Sequence, residues 1–218
     1  INTTVTNCGN EGNITGVKNL GGLCYELYGG TMTGCYNTGR VTATGTYVGG
    51  LMGYAKQTTV TNVYNTGDVS TEKTLVGGLI GVMEKSALTN AYTTGKVTTA
   101  AASGAIGAAV GSADQVSNVY YLGGASAIGD ENATAKTAEE LKALAPTLGS
   151  SFKENTGCGG YPLLVWQEVR AHQYEDGVCT VCGAKDPAAP YLLDGVTDAA
   201  AEVQTGKSYQ LDDLMDGK

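Results

Sequence analysis

The fold is decided by two linked stretches, TVTNVYNTGDV at residues 59–69 and LVGGLIG at residues 75–81. Variants of this pair recur along the chain up to about residue 124, with a step of 28 residues, or 27 at the first junction. Each copy holds three short apolar or β-branched runs, separated by the turn residues Gly, Asn and Thr. Such repeats are typical of solenoids, in which no copy can bury its apolar side chains alone.

Apolar residues that recur at equivalent positions predict the columns of the core. The first column contains Val5, Met32, Val60, Leu88 and Val116. The second contains Cys8, Cys35, Val63, Ala91 and Val119. The third contains either Leu23, Leu51, Leu79 and Ala105 or their neighbours Cys24, Met52, Ile80 and Ile106. We therefore expect Cys8 and Cys35 to be buried neighbours with free thiols.

A corner of the coil is marked by asparagine, which occupies one equivalent position in four copies and is replaced there by Gly34 in the second copy. Glycine and asparagine both tolerate a positive φ angle, so their exchange predicts a left-handed backbone at this corner. These features predict an all-β protein. Residues 1–124 are expected to form a right-handed parallel β-helix of four to five coils, each of about 28 residues.

The segments Gly50-Leu51-Met52-Gly53 and Gly78-Leu79-Ile80-Gly81 are each followed by Asn-x-Tyr-x-Thr-Gly-x-Val. In these segments the chain resembles the GLUG motif family, over residues 4 to about 124. The fourth copy departs from the motif at Gly104-Ala105-Ile106-Gly107. The family occurs in large secreted or wall-attached bacterial proteins, among them adhesins and the non-catalytic parts of immunoglobulin A peptidases. The resemblance implies an extracellular β-solenoid and does not imply a catalytic site.

After Gly124 the composition changes, and residues 125–167 are predicted to form a C-terminal cap with one helix. Thr137 and Glu140 match a capping box, and an apolar stripe of leucines follows them. A helix is therefore expected over residues 137–146. An uncovered end would expose apolar core and unpaired strand edges, so Trp166 is expected on or beside the last coil. Residues 188–218 are interpreted as a linker or the start of a truncated further module.

Residues 168–187 contain the arrangement His172-x6-Cys179-x-x-Cys182-Gly183, which is a candidate metal site. Zinc would need a fourth ligand, either Cys158, Asp186 or a group outside the chain. A Cys179–Cys182 disulfide and reduced thiols are the alternatives. The segment also resembles a short Cys/His element of secreted proteins from gut-dwelling Firmicutes.

A second candidate site is a column of tyrosines, with one ring per coil. Stacked rings on a solvent face could bind sugars, whereas a buried column would only pack. The members are Tyr36, Tyr64, Tyr92 and Tyr120.

Composition argues against several functions. The net charge of −8 disfavours nucleic acid and anionic membranes as partners. No run of 18 apolar residues is present, so no membrane insertion is expected. The acidic residues of the repeats occupy different positions in different copies and the one histidine lies outside the repeats, so we expect no catalysis.

The sequence therefore predicts a non-catalytic extracellular module, structural or adhesive, that serves as a stalk or binding surface in a large bacterial surface protein. We expect a monomeric piece of a longer chain. Its expected partners, if any, are host or bacterial glycans or proteins at the cell surface. The alternative is an accessory region of a secreted peptidase or glycan-degrading enzyme, whose catalytic domain lies outside this chain.

Overall fold

The structure is a computed structural model, which describes residues 3–104 and 106–187. Residues 188–218, predicted to be a linker or the start of a further module, lie outside the described residues. The chain divides into two units, one formed by residues 1–154 and 161–168 and the other by residues 155–160 and 169–218. The first unit is a parallel β-helix of about four turns, as the repeats predict. It also contains two short helices.

Three parallel sheets run along the β-helix, and their strands are numbered in chain order. The largest sheet contains β1 (Thr3–Thr6), β2 (Gly9–Asn10), β5 (Cys24–Asn37), β8 (Met52–Asn65), β11 (Ile80–Glu84), β12 (Ala87–Thr93), β15 (Val110–Ser112), β16 (Gln115–Leu122) and β17 (Thr134–Lys136). The second contains β3 (Ile14–Gly16), β6 (Val41–Ala43), β9 (Val69–Thr71) and β13 (Val97–Thr99). The third contains β4 (Leu20–Gly21), β7 (Val48–Gly49), β10 (Val76–Gly77) and β14 (Ile106–Gly107).

The strands within a coil are less even than the sequence predicts. β5 and β8 are 14 residues long, whereas the other two strands of each of those coils have two or three residues. Each long strand passes through a positive φ angle, at Gly29 and Gly30 in β5 and at Gln57 in β8. The largest sheet therefore bends within each coil and lines two sides of the core.

The register confirms the first two apolar columns. Both candidates for the third column are buried in the two middle coils, but the prediction for Ile106 is wrong, because Ile106 pairs with Val76, and Ala105 lies outside the described residues. Val5 pairs with Met32, Met32 with Val60, and the column continues through Leu88 to Val116. Leu51, Met52, Leu79 and Ile80 are all fully buried. Adjacent residues can both face the core here because each of these pairs lies where the backbone bends into the next strand, β8 or β11.

The prediction for Cys8 is wrong. The pairs Thr6–Thr33 and Gly9–Tyr36 place Cys8 opposite Cys35, as expected for one column. Cys35 is buried, but Cys8 is exposed. The reason is that Cys35 lies between two coils, whereas no described residue stacks on the other side of Cys8.

The fourth coil has a different register from the one that the sequence alignment suggests. Val76 pairs with Ile106 and Ile80 with Val110, so the paired residue numbers differ by 30 here. Ala87 pairs with Gln115, which restores the difference of 28. The equivalent of the glycine pair is therefore Gly107-Ala108, and the GLUG core of this coil begins four residues later than Gly104.

The asparagine corner is confirmed. The φ angles of Asn62, Asn90 and Asn118 are 56, 54 and 54°, and Gly34 has 64° at the same position. The side chains also bond along the axis, since Asn118 donates to Asn90 Oδ1 at 2.7 Å.

A second asparagine ladder, which the sequence analysis missed, runs through the core. Asn10 Nδ2 donates to Asn37 Oδ1 at 2.7 Å, and Asn37 Nδ2 donates to Asn65 Oδ1 at 2.8 Å. Asn37 and Asn65 are fully buried, and Asn65 also donates to the carbonyl of Gly78. A Cβ atom at Gly50 would collide with the Asn65 side chain, which is one reason why the second glycine of the pair recurs.

The end of the β-helix is closed by residues 123–136 and not by the predicted helix. β17 adds a strand to β16, and the Asp130 carboxylate accepts the backbone N–H groups of Ala109 and Val110. Ile128 and Ala133 pack on the core clusters. Together these contacts cover the last coil in the way the cap was expected to do.

The predicted helix begins at its capping box but is split into α1 (Ala138–Lys142) and α2 (Ala145–Leu148). After α2 the chain forms the antiparallel pair β18 (Phe152–Lys153) and β19 (Leu163–Leu164). We call residues 137–154 and 161–168 the lateral strap, because they pack on the tyrosine column along the side of the solenoid. Trp166 does not lie at the last coil. Its Nε1 donates to the carbonyl of Gly34, in the second coil, at 3.0 Å.

Candidate functional site

The tyrosine column is a packing column beneath the lateral strap. The rings of Tyr36 and Tyr64 stack with centroids 5.3 Å apart, and those of Tyr64 and Tyr92 with centroids 5.1 Å apart. The Tyr92 hydroxyl donates to the carbonyl of Pro162, and the Tyr64 hydroxyl bonds to the Gln167 amide. Burial raises the pKa of Tyr92 well above its usual value.

This geometry corrects the expectation of a sugar platform. Tyr64 and Tyr92 are 2% and 0% exposed. Tyr36 is half-buried, with Trp166 tilted against its ring, and Tyr120 is half-buried and donates to Asn118. The central rings therefore have no face left for a glycan. The sequence could not reveal this because one ring per coil fits an open face and a covered one equally well.

The candidate metal residues lie in the second unit, where the local sequence fixes the loop that carries Cys179 and Cys182. β20 (Tyr174–Glu175) and β21 (Val178–Cys179) form a hairpin with Asp176-Gly177 as its turn. Both turn residues have positive φ angles, 50 and 75°, as a two-residue hairpin turn of the Asp-Gly type requires. The hairpin thus delivers Cys179 at a strand end, directly before the Cys-x-x-Cys turn.

The turn after Cys179 has the tight form that two thiolate ligands need. Gly183 N donates to the Cys179 carbonyl at 2.9 Å, and Cys179 N donates to the Ala184 carbonyl at 2.7 Å. Gly183 has a φ of 72°, a left-handed value that favours glycine. Cys179 and Cys182 therefore point their sulfurs toward the same side.

Cys158 reaches the same point from the other stretch of the second unit. Its backbone N–H donates to the Arg170 carbonyl at 2.8 Å. Asn155 fixes the loop, since its Oδ1 accepts from Gly157 N and its Nδ2 donates to the Cys158 carbonyl. The sequence analysis included Cys158 among the possible fourth ligands but missed the positioning role of Asn155.

Four ligand atoms meet in this place. Cys158, His172, Cys179 and Cys182 each offer one atom, and all four atoms lie within 4.8 Å of one another. The Cys158 and Cys179 sulfurs are 3.6 Å apart, and Cys182 Sγ is 3.4 Å from His172 Nδ1. The predicted His172, Cys179 and Cys182 are thus brought together, and Asp186 is not part of the group. Three sulfurs and one imidazole can hold a soft or borderline divalent cation.

The electrostatics of the cluster prepare two of the sulfurs to be thiolates. Although desolvation opposes it, backbone N–H groups and the His172 ring lower the pKa of Cys179 to about 5. The pKa of Cys182 is lowered by its hydrogen bond with Cys158. Desolvation and the two neighbouring sulfurs raise the pKa of Cys158 to about 12. The cluster therefore favours the thiolate form more at Cys179 and Cys182 than at Cys158.

Comparison with known proteins agrees with the architecture. Residues 44–70 match the family model of the GLUG motif. The matched stretch begins directly after β6, contains β7 and β8 and ends within β9. No curated protein is similar in sequence at a significant level. No helix in the described part of the chain is long and apolar enough to cross a membrane.

The fold is shared with a solved structure, the crystal structure of a putative immunoglobulin A1 protease from Bacteroides ovatus. The two chains superpose with a TM-score of 0.63 and are 23% identical. The match covers 76% of this chain and 58% of the other one. At this level of identity the likeness establishes the fold, and this chain corresponds to little more than half of its neighbour.

Proposed function

We propose that this chain is a non-catalytic structural module of a large extracellular bacterial protein, in which the β-helix acts as a stalk. The observation that carries the proposal is that the side chains repeated from coil to coil are used inside the molecule. The tyrosines lie beneath the lateral strap, and Asn37 and Asn65 bond to one another in the core. A repeat selected for binding would keep its recurring side chains on an open face.

Extracellular placement is part of the proposal. It is supported by the GLUG match and by the fold shared with the protein from Bacteroides ovatus. The second candidate function is an accessory region of a secreted peptidase or glycan-degrading enzyme. The name of the fold neighbour favours this candidate, in which the catalytic domain belongs to another part of the parent chain.

The decisive experiment replaces residues 3–154 in the parent protein, so that Cys158 and the rest of the second unit are kept. One variant carries an unrelated β-helix with the same number of coils, and the other carries a flexible Gly/Ser linker of equal residue number. A stalk requires only a rigid spacer, so the unrelated β-helix should restore the surface display and function of the flanking domains and the linker should not. Loss of function with both variants would contradict the stalk role and favour specific binding by this β-helix.

Catalysis is tested directly with the isolated chain. Incubation with immunoglobulin A1 and with mixed peptide and glycan substrates should leave every substrate intact by mass spectrometry. Turnover that persists through purification would refute the non-catalytic assignment.

A further inference from the structure

We propose that Cys158, His172, Cys179 and Cys182 form a structural zinc site that orders the second unit of the chain. This inference does not depend on the stalk role of the β-helix. It rests on the geometry of the four ligand atoms, on the hydrogen bonds around them and on the scarcity of buried apolar side chains among the described residues of this unit.

The ligand separations fit a tetrahedral zinc ion. With Zn–S bonds of about 2.3 Å and a Zn–N bond of about 2.0 Å, tetrahedral geometry places two sulfurs about 3.8 Å apart and a sulfur and a nitrogen about 3.5 Å apart. The Cys158–Cys179 separation is 3.6 Å and the Cys182–His172 separation is 3.4 Å. A disulfide requires sulfurs about 2.0 Å apart, so the cluster has the spacing of metal ligands.

Backbone groups support the ligands. Gly183 N donates to the Cys179 carbonyl at 2.9 Å, which closes the turn between Cys179 and Cys182. Asn155 Nδ2 donates to the Cys158 carbonyl at 3.0 Å. Hydrogen bonds of this kind hold metal ligands in a fixed orientation.

The described part of the second unit, residues 155–160 and 169–187, has almost no apolar interior. Only Gly157 and Cys179 are buried there. The large apolar side chains of this part are exposed, namely Val169, Tyr174, Val178 and Val181. Segments that bury so little apolar surface usually need a disulfide or a metal to become ordered, and a bound metal supplies the missing free energy.

The number of protein ligands indicates a structural role and not a catalytic one. Catalytic zinc sites keep a coordination position open for water or substrate, whereas here four side chains fill a tetrahedral set. The site also closes a loop of chain. Cys158 precedes and His172 follows the 161–168 segment of the lateral strap, so a metal bound to both removes conformational freedom from the unfolded chain.

The test uses the full chain, stripped with a chelator and titrated with Zn²⁺ and Co²⁺ alone. We expect one equivalent to bind with a Kd below about 0.1 μM. Bound Co²⁺ should give the intense visible bands of a tetrahedral site and thiolate charge-transfer bands. Cys158→Ser should weaken binding at least about 100-fold and remove roughly a third of the charge-transfer intensity, since one of the three thiolates is lost. Cys8→Ser is the matched control, because Cys8 is exposed in the first coil, and it should change neither quantity.

Limited proteolysis checks the structural role. Without metal, cleavage within residues 169–187 should be at least about 10-fold faster than with Zn²⁺, because these residues bury almost no apolar surface that could order them without the metal. The proposal is overturned if Zn²⁺ binds no tighter than about 10 μM or if Cys158→Ser binds like the wild type. It is equally overturned if zinc does not change the cleavage rate, or if mass spectrometry finds a Cys179–Cys182 disulfide in the folded protein.

Discussion

Removal of one amide from the buried asparagine ladder should destabilise the β-helix strongly. Asn65 makes four side-chain hydrogen bonds within the core, to Gly67 N, Gly67 O, Gly78 O and Asn37 Nδ2. Asn65→Ala removes all four. A buried polar group that loses its hydrogen-bond partner costs about 1–3 kcal/mol. At least two backbone groups, among those of Gly67 and Gly78, lose the Asn65 amide as their partner. Some relaxation of the surroundings is expected, so we predict a loss of about 3 kcal/mol in the free energy of unfolding.

The matched control is Asn10→Ala, the same chemical change at the partly exposed end of the same ladder. Asn10 donates to Gly12 O and Asn37 Oδ1, where water can replace the lost amide, so the loss should be about 1 kcal/mol or less. The assay is urea unfolding of both variants with zinc present, with the change taken from the midpoint at a common slope. An Asn65→Ala cost no larger than that of Asn10→Ala would refute the claim that the ladder stabilises the core.

Three further variants test other parts of the structure. Thr93→Asn should stabilise the protein by about 1 kcal/mol in urea unfolding, because Thr93 follows Asn65 in the ladder and its buried Oγ1 has no partner within the described residues. The control Thr98→Asn changes an exposed residue and should leave the free energy of unfolding unchanged. Tyr92→Phe should cost about 1–2 kcal/mol, since it leaves the buried Pro162 carbonyl of the lateral strap without its donor. Tyr120→Phe should cost less, and equal costs would contradict the buried bond. Iodoacetamide should label Cys8 in the native protein but not Cys35, because Cys35 is buried and burial raises the pKa of its thiol. Peptide mapping identifies the labelled residues, and labelling of both would show that Cys35 is accessible to solvent.

The period of the sequence was enough to predict the solenoid, the apolar columns and the left-handed corner at Asn62. Each of these features repeats within the chain, so four copies report on the same position. The ladder of Asn10, Asn37 and Asn65 was visible in the same way, because these residues recur at the repeat step two positions before a glycine. It was missed because asparagine in a β-rich sequence indicates a turn more often than a core.

Features that occur once could not be predicted from the period. The register of the fourth coil depends on extra residues before Ile106 that are compensated before Gln115, and the sequence does not say which glycine they displace. The choice of Cys158 over Asp186 depends on where the chain lies in space. The path of the lateral strap is also set by tertiary packing, because Trp166 and Phe152 could cover an end or a side equally well.

The lateral strap changes how this solenoid should behave as a mechanical element. In a simple solenoid each coil contacts only its neighbours, so stability is a sum of local terms and a terminal coil can open alone. Here the lateral strap contacts several coils at once. Trp166 of the strap bonds to Gly34 in the second coil. Other strap residues, such as Leu141 and Leu148, pack in one apolar cluster with Tyr120 and Leu122 of β16. Opening any of these coils must break strap contacts as well as its own pairing. The strap therefore ties the coils into one cooperative body, which is the property that distinguishes a rigid spacer from a chain of independent repeats.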